Sequence, residues 1–260
     1  MEYLVTMTTN VPDGTPEEAV ADIRAREAAH TRELAAQGHI LRLWRPPLAP
    51  GEWRTLGLFA AADRGELDQI LTSMPLRVWR SDQITELAKH PNDPDPAAQP
   101  QPAPRTGEAP AAEFLNTFLL AIPGDASAQV VADAKAGERR RTQELAAEGH
   151  LIRLWLVADP PDGSRALGLW RAGDAAQMRA FLDSLPMAPW LTEEITPLAP
   201  HPSDPAAPGS RPRLTGGLLG RRQPRVGHIQ SAWRGQASRV STTSGGPSAR
   251  PGSVAAYRPR

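Results

Sequence analysis

A glutamate stands in the middle of a stripe that should be apolar. Along the run AREAAHTRELAAQG (25–38) and the residues before it, helical spacing groups Val20, Ile23, position 27, position 30 and Leu34 on one face. Position 27 is Glu27. A second run repeats the anomaly, with Val131, Ala134, Glu138, Arg141 and Leu145 on its stripe. Burial takes water from a carboxyl group and raises its pKa towards neutrality, which suits a group that must take up and return a proton. Glu27 and Glu138 are therefore the catalytic candidates; the plain alternative is a rim glutamate paired with an arginine. His30 lies one turn beyond Glu27 and could relay its proton or contact a ligand, or serve only in packing, since Arg141 holds that place in the second run.

Further candidates lie on the strand that follows each helix. Arg42 with Trp44, and Arg153 with Trp155, set a guanidinium beside an indole wall, an arrangement suited to a substrate carboxylate. The alternative is an arginine stem packed along the sheet with its head in an ion pair between two halves of the molecule. His90-Pro91 and His201-Pro202 end two later strands, where a histidine can reach a pocket mouth or simply mark the chain's exit. No His/Asp/Glu grouping has metal-ligand spacing. Glycine-rich phosphate loops and nucleophile-elbow serines are lacking in the sequence as well. There is no cysteine, which excludes disulfides, thiolate nucleophiles and thiolate metal sites.

These residues are positioned by a repeat. RELAAQGHILRLWR (32–45) returns as QELAAEGHLIRLWL (143–156), a shift of 111 residues. The same shift carries Leu56-Gly57-Leu58 onto Leu167-Gly168-Leu169 and LTSMPLRVW (71–79) onto LDSLPMAPW (182–190). It also carries ITELAKHPNDP (84–94) onto ITPLAPHPSDP (195–205), without insertion or deletion. Two small domains follow, a first repeat at 1–91 and a second at 113–204, each near the lower size limit for independent folding.

Within the first repeat, EYLVTMT (2–8) reads as a strand. Thr15 and Pro16 read as a helix start, with Thr15 as the capping hydroxyl, and Gly38 as the stop. HILRLWRP and WRTLGLFA (53–60) read as strands, RGELDQILTS as a helix capped by Asp63, and VWRSDQITELA (78–88) as the last strand. The order βαββαβ predicts an α+β, ferredoxin-like unit with one sheet face under two helices and the other bare. Strict alternation on the second strand would put Ile40, Arg42 and Trp44 on one side and His39, Leu41 and Leu43 on the other. Two bare faces packed together would give an intramolecular α+β barrel.

The proline-rich residues 92–112 read as a semi-extended linker, at about 3.1 Å per residue, long enough to let the repeats dock. Residues 205–260 are rich in Arg, Gly, Pro and Ser and read as disordered. The net charge of zero conceals an asymmetry. Ten arginines and no acidic residue follow Asp204, leaving 29 acidic against 19 basic residues in positions 1–204. Such a tail suits weak, sequence-independent contact with nucleic acid or other anions. No apolar run approaches the ~20 residues that span a bilayer, and the first residues lack a signal-peptide pattern. A cytoplasmic protein without membrane partners is expected.

AREAAHTRELAAQGHILRLWR, followed by LTSMPL and ITELAKHP, resembles the muconolactone delta-isomerase family over residues 1–91, and more loosely over 113–204. Arg26, Glu27, Glu33 and Trp44 fit the family pattern in the first repeat. Glu138, Glu144 and Trp155 fit it in the second, where Gly137 replaces the arginine. The resemblance implies a dimeric α+β barrel that uses no metal or organic cofactor. The activity implied is a proton shift that converts muconolactone to the 3-oxoadipate enol-lactone in aromatic catabolism through catechol. Arg26 or Arg42 would then hold the substrate carboxylate or the enolate oxygen, and the pseudo-dimer could assemble into a homo-oligomer. The alternative function is a barrel that binds or senses a small ligand without turning it over.

Overall fold

The strand that carries Trp44 breaks its own alternation, and this decides what each face of the sheet buries. In the computed structural model, which describes residues 1–94, 111–158 and 165–207, the first repeat has the order β1 (Glu2–Thr9), α1 (Glu17–Ala36), β2 (Ile40–Arg45), β3 (Arg54–Ala60), α2 (Arg64–Ser73) and β4 (Arg80–Lys89). The second has β5 (Ala112–Leu120), α3 (Ala128–Ala147), β6 (Leu151–Val157), β7 (Arg165–Ala172), α4 (Ala175–Asp183) and β8 (Leu191–Pro200). A β-bulge lies between Ile40 and Arg42, and its counterpart between Leu151 and Arg153. The extra residue shifts the phase. Ile40 and Leu43 therefore both enter the core under the helices, while Leu41 and Trp44 face the opposite core. The strict alternation expected from the sequence is wrong here for that reason.

Local signals set the helix ends. Gly38 and Gly149 take φ of 84° and 81°, the left-handed region in which a β-carbon is costly. Asp63 caps α2 by accepting from the Glu66 amide, and Asp174 caps α4 by accepting from that of Gln177. Thr15 does not cap α1 as expected: its hydroxyl donates to the Pro12 carbonyl, and the helix begins at Glu17 with no side-chain cap. The N-cap of α1 is Pro16, and its counterpart before α3 is Ser127, which does cap, accepting from the Val130 amide. The last strand also starts later than expected. Val78 and Trp79 belong to a 3-10 turn, Pro75–Trp79, so Arg80 is the first residue of β4.

All strand pairings are antiparallel, and the eight strands close into one barrel in the order β1-β3-β2-β8-β5-β7-β6-β4. The repeats meet along two seams. Trp44 and Arg45 pair with Pro200 and Ala199, and Leu87, Ala88 and Lys89 pair with Val157, Leu156 and Trp155. Each repeat has its own core between helices and sheet, and a third core fills the barrel with Trp44, Leu58, Leu87, Leu115, Trp155 and Leu169 among its members. Each such side chain contributes roughly 1.5–3 kcal/mol relative to exposure. The Leu-Gly-Leu motif serves close packing: a β-carbon at Gly57 would collide with the Phe59 ring, and one at Gly168 with the Trp170 indole. Most of the 92–112 segment and nearly all of 205–260 lie outside the described residues.

Candidate functional site

Glu27 reaches the wall of a cavity of about 180 Å³ in the first repeat. Its helix, α1, packs against the 3-10 turn 75–79, and that contact supplies the first partner: the Leu76 amide donates to Glu27 Oε2 at 2.8 Å. Pro75 opens the turn, leaving the next amide unpaired in the turn and free to meet a carboxylate. The second partner is Arg80, whose Nη1 donates to Glu27 Oε1 at 3.3 Å.

Arg80 is only 2% exposed, against 13% for Glu27. Its shortest contact, however, is Nε to Asp82 Oδ1 at 2.7 Å, and Nη2 also donates to the Leu71 carbonyl at 3.2 Å. The cation is thus committed mainly to Asp82. Burial pushes the Glu27 pKa above its ordinary value, and the Leu76 amide and the Arg80 charge offset this only in part. A half-buried, weakly compensated carboxylate against a cavity is equipped to carry a proton.

Sequence reasoning missed most of the lining. Met7, Thr9, Thr55 and Met74 come from the first repeat's sheet and turn. Arg24 on α1 lies with its guanidinium 5.1 Å from the Trp53 ring centroid, and Arg45 ends β2 at the same opening. His201, one of the two strand-end histidines that the sequence offered for a pocket mouth, arrives from the second repeat with Pro202 and Ser203. The 111-residue shift did hold a signal. Thr9, Arg45, Thr55 and Arg80 correspond to Leu120, Leu156, Ala166 and Leu191, so polar positions gathered in one repeat are apolar in the other.

Glu138 therefore has a different setting. It accepts from the Met187 amide at 3.1 Å, as Glu27 does from Leu76, but Leu191 replaces the arginine. Burial raises its pKa, and the nearby charge of Glu193 adds to the rise.

Other sequence candidates lie elsewhere. Arg42 and Arg153 are not free to anchor a ligand, because carboxylates of the opposite repeat hold them. Arg42 contacts Glu113 at 2.6 Å and Asp204 at 3.1 Å, and Arg153 contacts Glu2 at 2.7 Å and Asp93 at 3.2 Å. Trp44 and Trp155 are no cavity wall: they are buried in the barrel core, and their indole N–H groups donate to Glu113 and Glu2. Arg26 points to solvent in an exposed pair with Asp22. His30 bridges Glu33 and Ser73, as Arg141 bridges Glu144 and Ser184, tying helix to helix. Among the described residues no His/Asp/Glu group could hold a metal, and no helix is long and apolar enough to cross a membrane.

The family model described as muconolactone delta-isomerase matches residues 1–93 and 112–204. The chain belongs to the muconolactone delta-isomerase family. Muconolactone Delta-isomerase 1 of Acinetobacter lwoffii is 34% identical over 92 residues, covering 35% of this chain and 93% of that protein. Muconolactone Delta-isomerase of Cupriavidus pinatubonensis is 35% identical over 92 residues, covering 35% and 97%. A heme-binding protein from Thermus thermophilus superimposes with a TM-score of 0.48 at 12% identity, over 76% of this chain and 92% of its own.

Proposed function

We propose that the protein is an isomerase that shifts a proton within a small carboxylated unsaturated lactone, converting muconolactone to the 3-oxoadipate enol-lactone in aromatic catabolism. Family membership fits a small lactone as the ligand of the Glu27 cavity. The barrel formed by the two repeats acts as an intramolecular pseudo-dimer. The observation that carries the reading is Glu27, a carboxylate of raised pKa on a cavity wall beside a buried arginine.

The chemistry needs one base and one cation. Glu27 removes the proton from the ring carbon that bears the side chain; that C–H bond breaks and its electron pair forms the new double bond. The original double bond shifts towards the carbonyl, whose oxygen takes the charge of the dienolate. Arg80 is the cation placed to stabilise that charge. The protonated Glu27 then returns the proton to the carbon next to the carbonyl, completing a 1,3-shift with no net gain or loss of atoms. Arg80's stronger tie to Asp82 serves this cycle, because a closer Glu27 pair would make the base too weak.

The second repeat keeps its glutamate but has Leu191 in place of the arginine, so turnover belongs to the first. Ultraviolet assay of muconolactone tests this. Glu27→Gln should lower kcat by about 10²–10⁴-fold with the barrel still folded, and Glu138→Gln should retain most activity. The acid limb of kcat/KM should lie above 4.5, the ordinary glutamate value. A folded E27Q variant that turns over muconolactone at the parent rate refutes the assignment; binding without turnover in the parent protein favours the ligand-sensing alternative.

A further inference from the structure

The opening of the Glu27 cavity carries more hydrogen-bond donors than the protein itself uses. Arg24 rests over Trp53 and Arg45 is exposed at the end of β2; neither has an ion pair among the described residues. His201 enters from the second repeat and is fixed at three points. Its backbone amide donates to the Leu43 carbonyl at 3.2 Å, and its carbonyl accepts from the Asp204 amide at 2.9 Å. Its Nδ1 accepts from the Ser203 amide at 3.1 Å. An accepting Nδ1 puts the proton of the neutral ring on Nε2, and Nε2–H has no partner among the described residues. Two guanidinium groups without a carboxylate partner among the described residues thus line one opening.

We infer that this opening is a carboxylate-binding site assembled from both repeats, in which Arg24 and Arg45 supply charge and His201 supplies a directional Nε2–H donor. The inference deepens the isomerase reading, and rests on it for the identity of the ligand; it concerns the far end of the molecule that Glu27 would deprotonate. A planar carboxylate suits the guanidinium fork, and the cavity admits only a small molecule. Burial, reinforced by the Arg45 and Arg24 charges, lowers the His201 pKa to about 4, so the ring stays a neutral donor in the range where a carboxylate is ionised. The second repeat lacks one of the two guanidinium positions, because Leu156 stands where Arg45 does, while Lys135 keeps a charge at the place of Arg24. The second repeat thus serves the first by lending it His201.

The test separates binding from turnover. Calorimetry on the full chain would use the saturated counterpart of muconolactone, which keeps the carboxylate and lacks the ring double bond, and its methyl ester. The acid should bind at least about tenfold more tightly than the ester. Arg45→Leu, the residue type already present at Leu156, should weaken the acid by about 10- to 100-fold and leave the ester nearly unchanged. Arg45→Lys should recover much of the loss, and His201→Ala should weaken the acid by roughly 3- to 10-fold. Equal affinity for acid and ester, or equal loss of both in Arg45→Leu, overturns the inference. If acid binding follows Arg45 while muconolactone is not turned over, the carboxylate site stands and the isomerase reading falls.

Discussion

Arg42 of the first repeat forms a bidentate ion pair with Glu113 of the second, at 2.6 and 3.2 Å. The same Glu113 accepts from the Trp44 indole at 2.7 Å, over which the Arg42 guanidinium lies at 4.8 Å. The arrangement recurs with Arg153, Glu2 and Trp155. Each seam is closed further by the exit segment of a repeat: Asp204 accepts from the Leu43 amide, and Asp93 from that of Leu154. The arginine that resembled a ligand anchor is thus a fastener between the repeats.

Removing one partner should be costly. Burial alone would raise the Glu113 pKa, but the hydrogen bonds and charge of Arg42, with the Trp44 N–H, outweigh it and hold the group below its ordinary value. Glu113→Ala should destabilise the protein by about 2–4 kcal/mol, less than a fully buried pair because both groups keep some contact with water. A depressed carboxyl pKa stabilises above the ordinary value and loses that stabilisation as pH falls through the folded-state value. The gap between parent and variant in urea denaturation should therefore be wide at neutral pH and shrink below 4.5. A gap unchanged down to strongly acid pH would mean that the pair does not fasten the seam.

The class of fold was legible because its signals are local. Helical stripes, Asp63 before α2 and the left-handed Gly38 each act within a few residues, and the 111-residue shift exposed the repeat without any structure. What escaped the sequence depends on tertiary geometry. The bulge at Ile40–Arg42 moves Trp44 into the barrel, and nothing in HILRLWR marks it. Arg80 follows a short 3-10 turn, so strand periodicity gave it no special place. Glu27 was found because a charge in an apolar stripe conflicts with local pattern. Arg24 and Arg45 create no such conflict, and His201 was marked only as a strand-end histidine; the three become a group only when the second repeat's exit segment crosses to the first.

Glu138 illustrates a cost retained without its cation. Its pKa is raised by burial and by Glu193, so the sign is opposite to that of Glu113. A carboxyl whose folded-state pKa lies above the unfolded value stabilises fully below the unfolded value and loses that contribution as pH rises through the folded one. At neutral pH the ionised group is a liability. Glu138→Gln keeps an acceptor for the Met187 amide and removes the charge, so it should raise stability at pH 7 by about 0.5–2 kcal/mol. The advantage should fade towards pH 4, where the parent side chain is protonated. Thermal unfolding at both pH values checks this, and destabilisation at pH 7 would show that a cation compensates Glu138.

The second repeat also carries a polar group where the first is wholly apolar. Asn116 is fully buried on β5, and neither end of its amide has a hydrogen-bond partner in the protein; the Trp170 indole N–H is likewise unpartnered. The two are neighbours in register: Asn116 pairs with Gly168, over which the Trp170 nitrogen lies. The first repeat has Val5 and Phe59 at these places, both fully buried. A buried amide without partners costs about 1–3 kcal/mol, and a valine of similar width is already compatible with this strand position. Asn116→Val should therefore stabilise the protein by about 1–3 kcal/mol, read from the urea midpoint with an unchanged m-value. Trp170→Phe should gain less, because the smaller ring gives up packing against Phe118, now an edge-on contact at 6.5 Å between ring centroids. A clear loss of stability in Asn116→Val would mean that an internal water holds the amide and that the polar pair is a structural element of the second repeat.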